Sequence, residues 1–147
     1  MRGFRRDKRD NLFSKMIRFR DEFTCCRCGA LHEETSSGLH CSHNVPRTYL
    51  RLRWTPLNAL ALCYRCHMWW HDEPYESCPW LAAHMGDRMH RELLSMKQQK
   101  LKISKSAKED IYDILKEDRA AQLEKFEQGK KHKLRDPVMV LLKAGLL

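Results

Sequence analysis

The sequence predicts an α+β fold: a small zinc-stabilised core of two short extended segments and a helix, preceded by an N-terminal helix and followed by a helical extension. Three observations carry this. Two Cys-x-x-Cys pairs, Cys25/Cys28 and Cys63/Cys66, lie in a chain of 147 residues, a length that suits one domain. Short segments between the pairs are bounded by turn residues and proline, a strand-like pattern. Apolar residues at helical spacing stand on both sides of them.

In chain order, Leu12, Phe13, Met16, Ile17 and Phe23 predict a helix over about 10–21, with Asp10 as its cap and its arginines facing solvent or phosphate. Glu33 to Gly38 reads as a turn and Leu39 to Val45 as a short strand ended by Pro46. Arg47 to Pro56 is a loop in which Arg47, Arg51 and Arg53 alternate with Tyr49 and Trp54, a composition suited to phosphate contact and stacking. A solvated loop is the plain alternative for each arginine. A second short segment, Leu57 to Leu62, carries Asn58, and a helix then starts near Tyr64.

Past His71, Pro74 and Pro79 punctuate a linker, and Leu81, Met85, Met89 and Leu93 recur every four residues along one helix face. A further helix covers about 105–127, with Ile111, Ile114, Leu115, Leu123 and Phe126 as its apolar positions and Gly129 closing it. The basic run Lys130 to Arg135 and the apolar stretch Val138 to Leu147 carry no motif. The organisation expected is a basic helical segment over 1–22, the core over 23–75, and a helical extension with a basic tail over 76–147.

Composition narrows the class. The chain is 42% hydrophobic and 32% charged, ordinary for a globular protein, and its formal net charge of +9 favours polyanionic partners such as DNA. Seven cysteines is an odd number, and Met1 leads into a cluster of arginines and lysines with no apolar run, so disulfides and export are not expected. A reducing, cytoplasmic setting fits metal-bound thiolates. No apolar stretch is long enough for a bilayer, so no membrane partner is expected.

Thiolates are soft ligands, and two pairs of this spacing supply the four that tetrahedral zinc prefers. Redox pairs or buried core cysteines are the competing explanations. Cys26, Cys41 and Cys78 lack such spacing and read as structural thiols, with Cys26 an alternative to its neighbour as a ligand. Singly, His43, Asn58, His67 and His71 are unremarkable. Jointly they are ordered: His43 follows the strand, Asn58 comes fifteen residues on, His67 nine further, and His71 four beyond that, one turn along the same helix face.

These residues, in the stretches Phe23-Thr-Cys-Cys-Arg-Cys-Gly29, Leu39-His-Cys-Ser-His-Asn-Val-Pro-Arg47 and Asn58-Ala-Leu-Ala-Leu-Cys-Tyr-Arg-Cys-His67, resemble the HNH endonuclease family in its zinc-stabilised branch. Phage and prophage members, recombination nucleases of the NinG/Rap type among them, are the most similar. The resemblance spans about residues 10–95 and implies a ββα-metal core that cleaves DNA with a divalent cation, leaving 5′-phosphate and 3′-hydroxyl ends. It implies His43 as general base, Asn58 orienting it or its loop, and His67 as a metal ligand, with His71 the natural second ligand. Structural zinc on Cys25, Cys28, Cys63 and Cys66 is implied as well.

One position departs from the family. A metal ligand usually precedes the general base, and here that residue is Ser42. His40 points to the same strand face and is the candidate replacement; an extra water on the metal, or a merely exposed histidine, are the alternatives. Imidazole ligands favour Mn, Ni or Zn ions over Mg. Arg47, Arg51 and Arg53 are the expected phosphate contacts, with Arg47 best placed. Duplex or branched DNA is the expected partner. Cutting a junction requires two strands to be cleaved, which favours a homodimer joined through the C-terminal helices. A non-catalytic zinc-finger DNA-binding module is the rival reading.

Overall fold

Asp7, not Asp10, starts the first helix. In the computed structural model, which describes residues 5–147, α1 runs Lys8–Arg20 and Asp7 accepts hydrogen bonds from the Arg9 and Asp10 amides, while the Asp10 carboxylate accepts from Asp7 N at 2.9 Å. This reciprocal capping satisfies donors that open every helix. Residues 1–4 of the predicted 1–22 segment lie outside the described residues. The buried face of α1 holds Phe13, Met16 and Ile17, each contributing on the order of 2 kcal/mol by leaving water.

The strands are shorter than expected. β1 (Leu39–His43) pairs antiparallel with β2 (Ala59–Cys63), in a register that sets Leu39 opposite Cys63 and His43 opposite Ala59. Val45 leaves the ladder because its backbone pairs with the Asn58 side chain instead. A 3-10 turn, Pro56–Asn58, leads into β2, and Arg20 ties the end of α1 to this junction through the carbonyls of Pro56 (2.9 Å) and Ala59 (2.8 Å). Helix α2 (Tyr64–Asp72) follows β2 directly, with Cys63 as its cap residue.

The predicted proline linker is helical. α3 (Pro74–Met85) starts on Pro74, whose missing N–H is no loss in a first turn, and absorbs Pro79 in its interior. The helix face predicted from Leu81 to Leu93 is broken at Gly86, which takes φ +79° and separates α3 from α4 (Asp87–Lys97). α5 (Lys105–Glu127) matches its expected span. The apolar stretch after it folds as α6 (Pro137–Lys143), capped by Asp136.

The main core crosses the expected boundary at residue 76. Phe13, Met16, Ile17, Trp54 and Ala59 pack in one cluster with Ile111, Leu115, Val138 and Leu141. Gln122 on α5 donates to the Met16 carbonyl at 3.0 Å, so the extension is packed into the core and not appended to it. A second cluster surrounds the cysteines, with Leu39, Ala61 and Leu62. Among the described residues no helix is long and apolar enough to cross a membrane.

Candidate functional site

The four cysteines converge. The ligand atoms of Cys25, Cys28, Cys63 and Cys66 all lie within 4.8 Å of one another, positioned to bind a metal ion, and four thiolates are the donor set of a structural zinc. The knuckle is built locally: Gly29, at φ +74°, lets its amide return to the Cys25 carbonyl, and Cys25 N reaches Ala30 O, both at 2.9 Å. Burial alone would raise the Cys25 thiol, but the surrounding backbone N–H groups of Cys28, Cys63 and Arg27 bring it down to about 6, the thiolate a metal needs. Arg27 donates to Cys66 Sγ at 3.5 Å while its guanidinium stacks 3.6 Å over Trp69.

Cys26 is not a ligand of this set. Its thiol donates to Asp21 Oδ2 at 3.4 Å, and burial followed by that carboxylate pushes it up to about 12. Burial does the same to Cys41.

A cleft of about 690 Å³ is lined by His40, His43, His67 and His71 together with Arg6, Arg18 and Arg47. β1 delivers His40 and His43, and α2 delivers His67 and His71. His43 Nε2 is 2.9 Å from the Arg53 carbonyl. A carbonyl only accepts, so Nε2 carries the proton and Nδ1 is the basic nitrogen; among the described residues Nδ1 has no hydrogen-bond partner. Burial pushes His43 down to about 4, with Arg47 adding to the effect and the Arg53 carbonyl opposing it.

The Asn58 side chain makes no hydrogen bond to His43. It is fully buried and holds the loop: Oδ1 accepts from Val45 N at 2.8 Å, and Nδ2 donates to Val45 O (2.9 Å) and Leu52 O (3.2 Å). The next residue after Leu52 is the one whose carbonyl fixes His43. Asn58 is therefore linked to His43 through the loop.

The three remaining histidines meet in pairs. His67 Nδ1 is 3.0 Å from His40 Nδ1, and His67 Nε2 is 3.1 Å from His71 Nε2. Two imidazoles on one tetrahedral ion at the usual bond lengths would stand about 3.3 Å apart, so either pair could hold a cation. His67 uses a different nitrogen toward each neighbour, so one ion takes two of the rings as they stand. Burial, then the adjacent His71 and His40, lowers His67 to about 4, leaving it neutral and competent to ligate at pH 7. Ser42 is buried with no partner for its hydroxyl among the described residues and does not line the cleft.

The expected phosphate arginines divide. Arg47 stands on the cleft, about one third exposed, its Nη1 3.9 Å from Asp10. Arg51 and Arg53 differ from expectation: they are 1% and 4% exposed, Arg51 bonded to Asp136 (2.8 Å) and Gln99 (2.8 Å), Arg53 to both oxygens of Asp10. A buried guanidinium requires a carboxylate more than a surface phosphate can offer, so these two are anchors of the loop. Arg18, on the helix whose arginines were expected to face solvent or phosphate, and Arg6, in the segment before it, stand on the cleft beside Arg47. Their signal was the basic face of α1 and the segment before it.

No family model, curated protein or solved structure matches this chain.

Proposed function

We propose that the chain is a metal-dependent DNA endonuclease of the HNH type, hydrolysing phosphodiester bonds with His43 as general base. The observation that supports this best is the His43 ring: Nε2–H is committed to the Arg53 carbonyl, Nδ1 has no hydrogen-bond partner among the described residues, and the ring lines a cleft that also holds three histidines and three arginines. Water in the cleft loses a proton to Nδ1. A pKa near 4 keeps the ring neutral and ready at pH 7, and a phosphate bound beside it opposes the effect of burial and strengthens the base.

Arg47, Arg18 and Arg6 would hold the phosphate and its neighbours. A divalent cation on His67 with His71 or His40 would supply neutralisation of the charge that builds on the phosphate and the departing oxygen. The imidazole donors suit Mn, Ni or Zn better than Mg. The four cysteines would hold a structural zinc that fixes α2 against β2. The ends released would be 5′-phosphate and 3′-hydroxyl, and the setting suggested by the sequence resemblance is phage or prophage DNA processing or recombination, with branched DNA and a homodimeric enzyme.

The test is direct. Purified protein with Mn or Mg should nick supercoiled plasmid, and His43→Ala should abolish nicking while retaining its zinc. Equal cutting by that variant removes the base assignment. A second reading, a zinc-finger module that binds DNA without cutting it, is favoured by the pairwise meeting of the histidines. Such a module shifts DNA equally with and without added metal and never changes plasmid topology. Rates on a four-way junction, linear duplex and single strand, compared side by side, decide the substrate.

A further inference from the structure

We propose that Asp10, on the N-terminal helix, is the positioning residue of the His43 base, acting through Arg53. The inference deepens the endonuclease reading and rests on it for its kinetic consequence. Asp10 is 5% exposed and carries four tethers: Arg53 Nε at 2.9 Å on Oδ1, Arg53 Nη2 on Oδ2, Trp54 Nε1 at 3.1 Å on Oδ1, and the Asp7 amide at 2.9 Å on Oδ2. Two consecutive residues of the loop, Arg53 and Trp54, are thus clamped by one carboxylate from another element. The carbonyl that holds His43 Nε2–H belongs to the first of them.

The geometry makes the clamp specific. A histidine ring has two neutral tautomers of similar energy, and what selects between them is the hydrogen bond at one nitrogen. Here that bond is made by a backbone carbonyl on a loop, an element that moves more than a helix or strand. Asn58 restrains the preceding residue, Leu52, and Asp10 restrains Arg53 itself. Burial alone would raise the Asp10 carboxyl, but the hydrogen bonds from Arg53 and from Asp7 N, with the charges of Arg53 and Arg47, hold it below the usual range. The anionic form clamps at every working pH.

The experiment reads the tautomer and the rate separately. In the full-length zinc-loaded protein, nitrogen-detected NMR of the His43 ring should show the Nε2–H form in the wild type and a loss of that preference in Asp10→Asn. With a cleavable DNA, Asp10→Asn should lower kcat about tenfold to a hundredfold with KM within about twofold, as for other residues that orient a reacting group. Asp136→Asn, which breaks the Arg51 pair on the other side of the same loop, is the control and should leave the His43 tautomer unchanged. Arg53→Lys, which keeps the charge but loses the two-point clamp, should give a partial loss of the tautomer and serves if Asp10→Asn does not fold. An Nε2–H form as fully populated in either Asp10→Asn or Arg53→Lys as in the wild type overturns the proposal. The tautomer is read without DNA, so a protein that cuts nothing would refute the nuclease reading and still decide the role of Asp10.

Discussion

Asn58 and Val45 exchange two hydrogen bonds, Val45 N to Oδ1 at 2.8 Å and Nδ2 to Val45 O at 2.9 Å, so a side-chain amide takes the place of a strand partner just where β1 ends. The third bond of the same amide, to Leu52 O, closes the loop between them.

Replacing Asn58 with Ala leaves the Val45 N–H and carbonyl unpaired and takes from Leu52 O one of its two donors, the Thr55 amide remaining. The expected loss is about 3 kcal/mol of folding free energy, measured by urea unfolding, together with a fall in plasmid nicking. Asn58→Ala of wild-type stability would mean that water or a shifted loop replaces the amide.

Metal removal acts on the cysteine frame. One zinc per chain should be released on titrating the thiols, and a chelator should lower Tm by more than about 10 °C, because structural zinc binding is folding free energy. Cys28→Ser should lose the metal, whereas Cys26→Ser should retain it, since the Cys26 thiol faces Asp21. Metal content by mass spectrometry separates the two.

His43 titrates near ~6.5 in an unfolded chain and near about 4 in the folded protein. Between those values the unfolded state binds more protons, so this contribution is intact above the unfolded pKa and is lost as pH falls toward the folded one. From pH 7 to 5 the wild type should lose about 2 kcal/mol more than His43→Gln does, measured by denaturant unfolding on samples shown to keep their zinc. Parallel curves would contradict the buried neutral ring.

The arginines separate by what they face. Arg47→Ala should weaken DNA binding and reduce the slope of log affinity against log salt by about one, with little effect on unfolding. Arg53→Ala strands the Asp10 carboxylate in the interior and should cost about 3 to 5 kcal/mol. Salt titrations and thermal unfolding on both variants check this, and a salt slope changed more by Arg53 than by Arg47 would reverse the assignment.

The sequence made the cysteine frame, the order of the core elements and the span of α5 legible, because thiolate spacing and helical periodicity are local signals. That His43, His67 and His71 share a site was implied by the resemblance, with His40 the candidate in place of Ser42, and all four line one cleft. What the sequence missed was long-range. Asp136 meets Arg51 and Asp10 meets Arg53 across dozens of residues, and nothing in an arginine's neighbours along the chain distinguishes a phosphate contact from a buried anchor. Pro74 misled because proline also suits a helix's first turn, and only the break at Glu73 shows that it opens one; Pro79 misled because it lies inside α3, where the local rule for proline argues against a helix. The helix from Val138 was hidden by its length, too short for periodicity to register.

The Arg51–Asp136 pair joins residues 85 apart, and the Gln122 bond to Met16 spans 106. Closing a loop of the first length costs roughly 4 kcal/mol of chain entropy, which local helices and the cysteine knuckle do not have to meet. The cysteine frame also closes a long loop, 35 residues from Cys28 to Cys63, at a cost lower by less than about 1 kcal/mol. The loop that holds His43 is tied locally by Asn58 and at long range by Asp10 and Asp136. Asp10 near one end of the chain and Asp136 near the other thus hold the same short segment, so the aim of the His43 ring depends on both ends of the chain being in place.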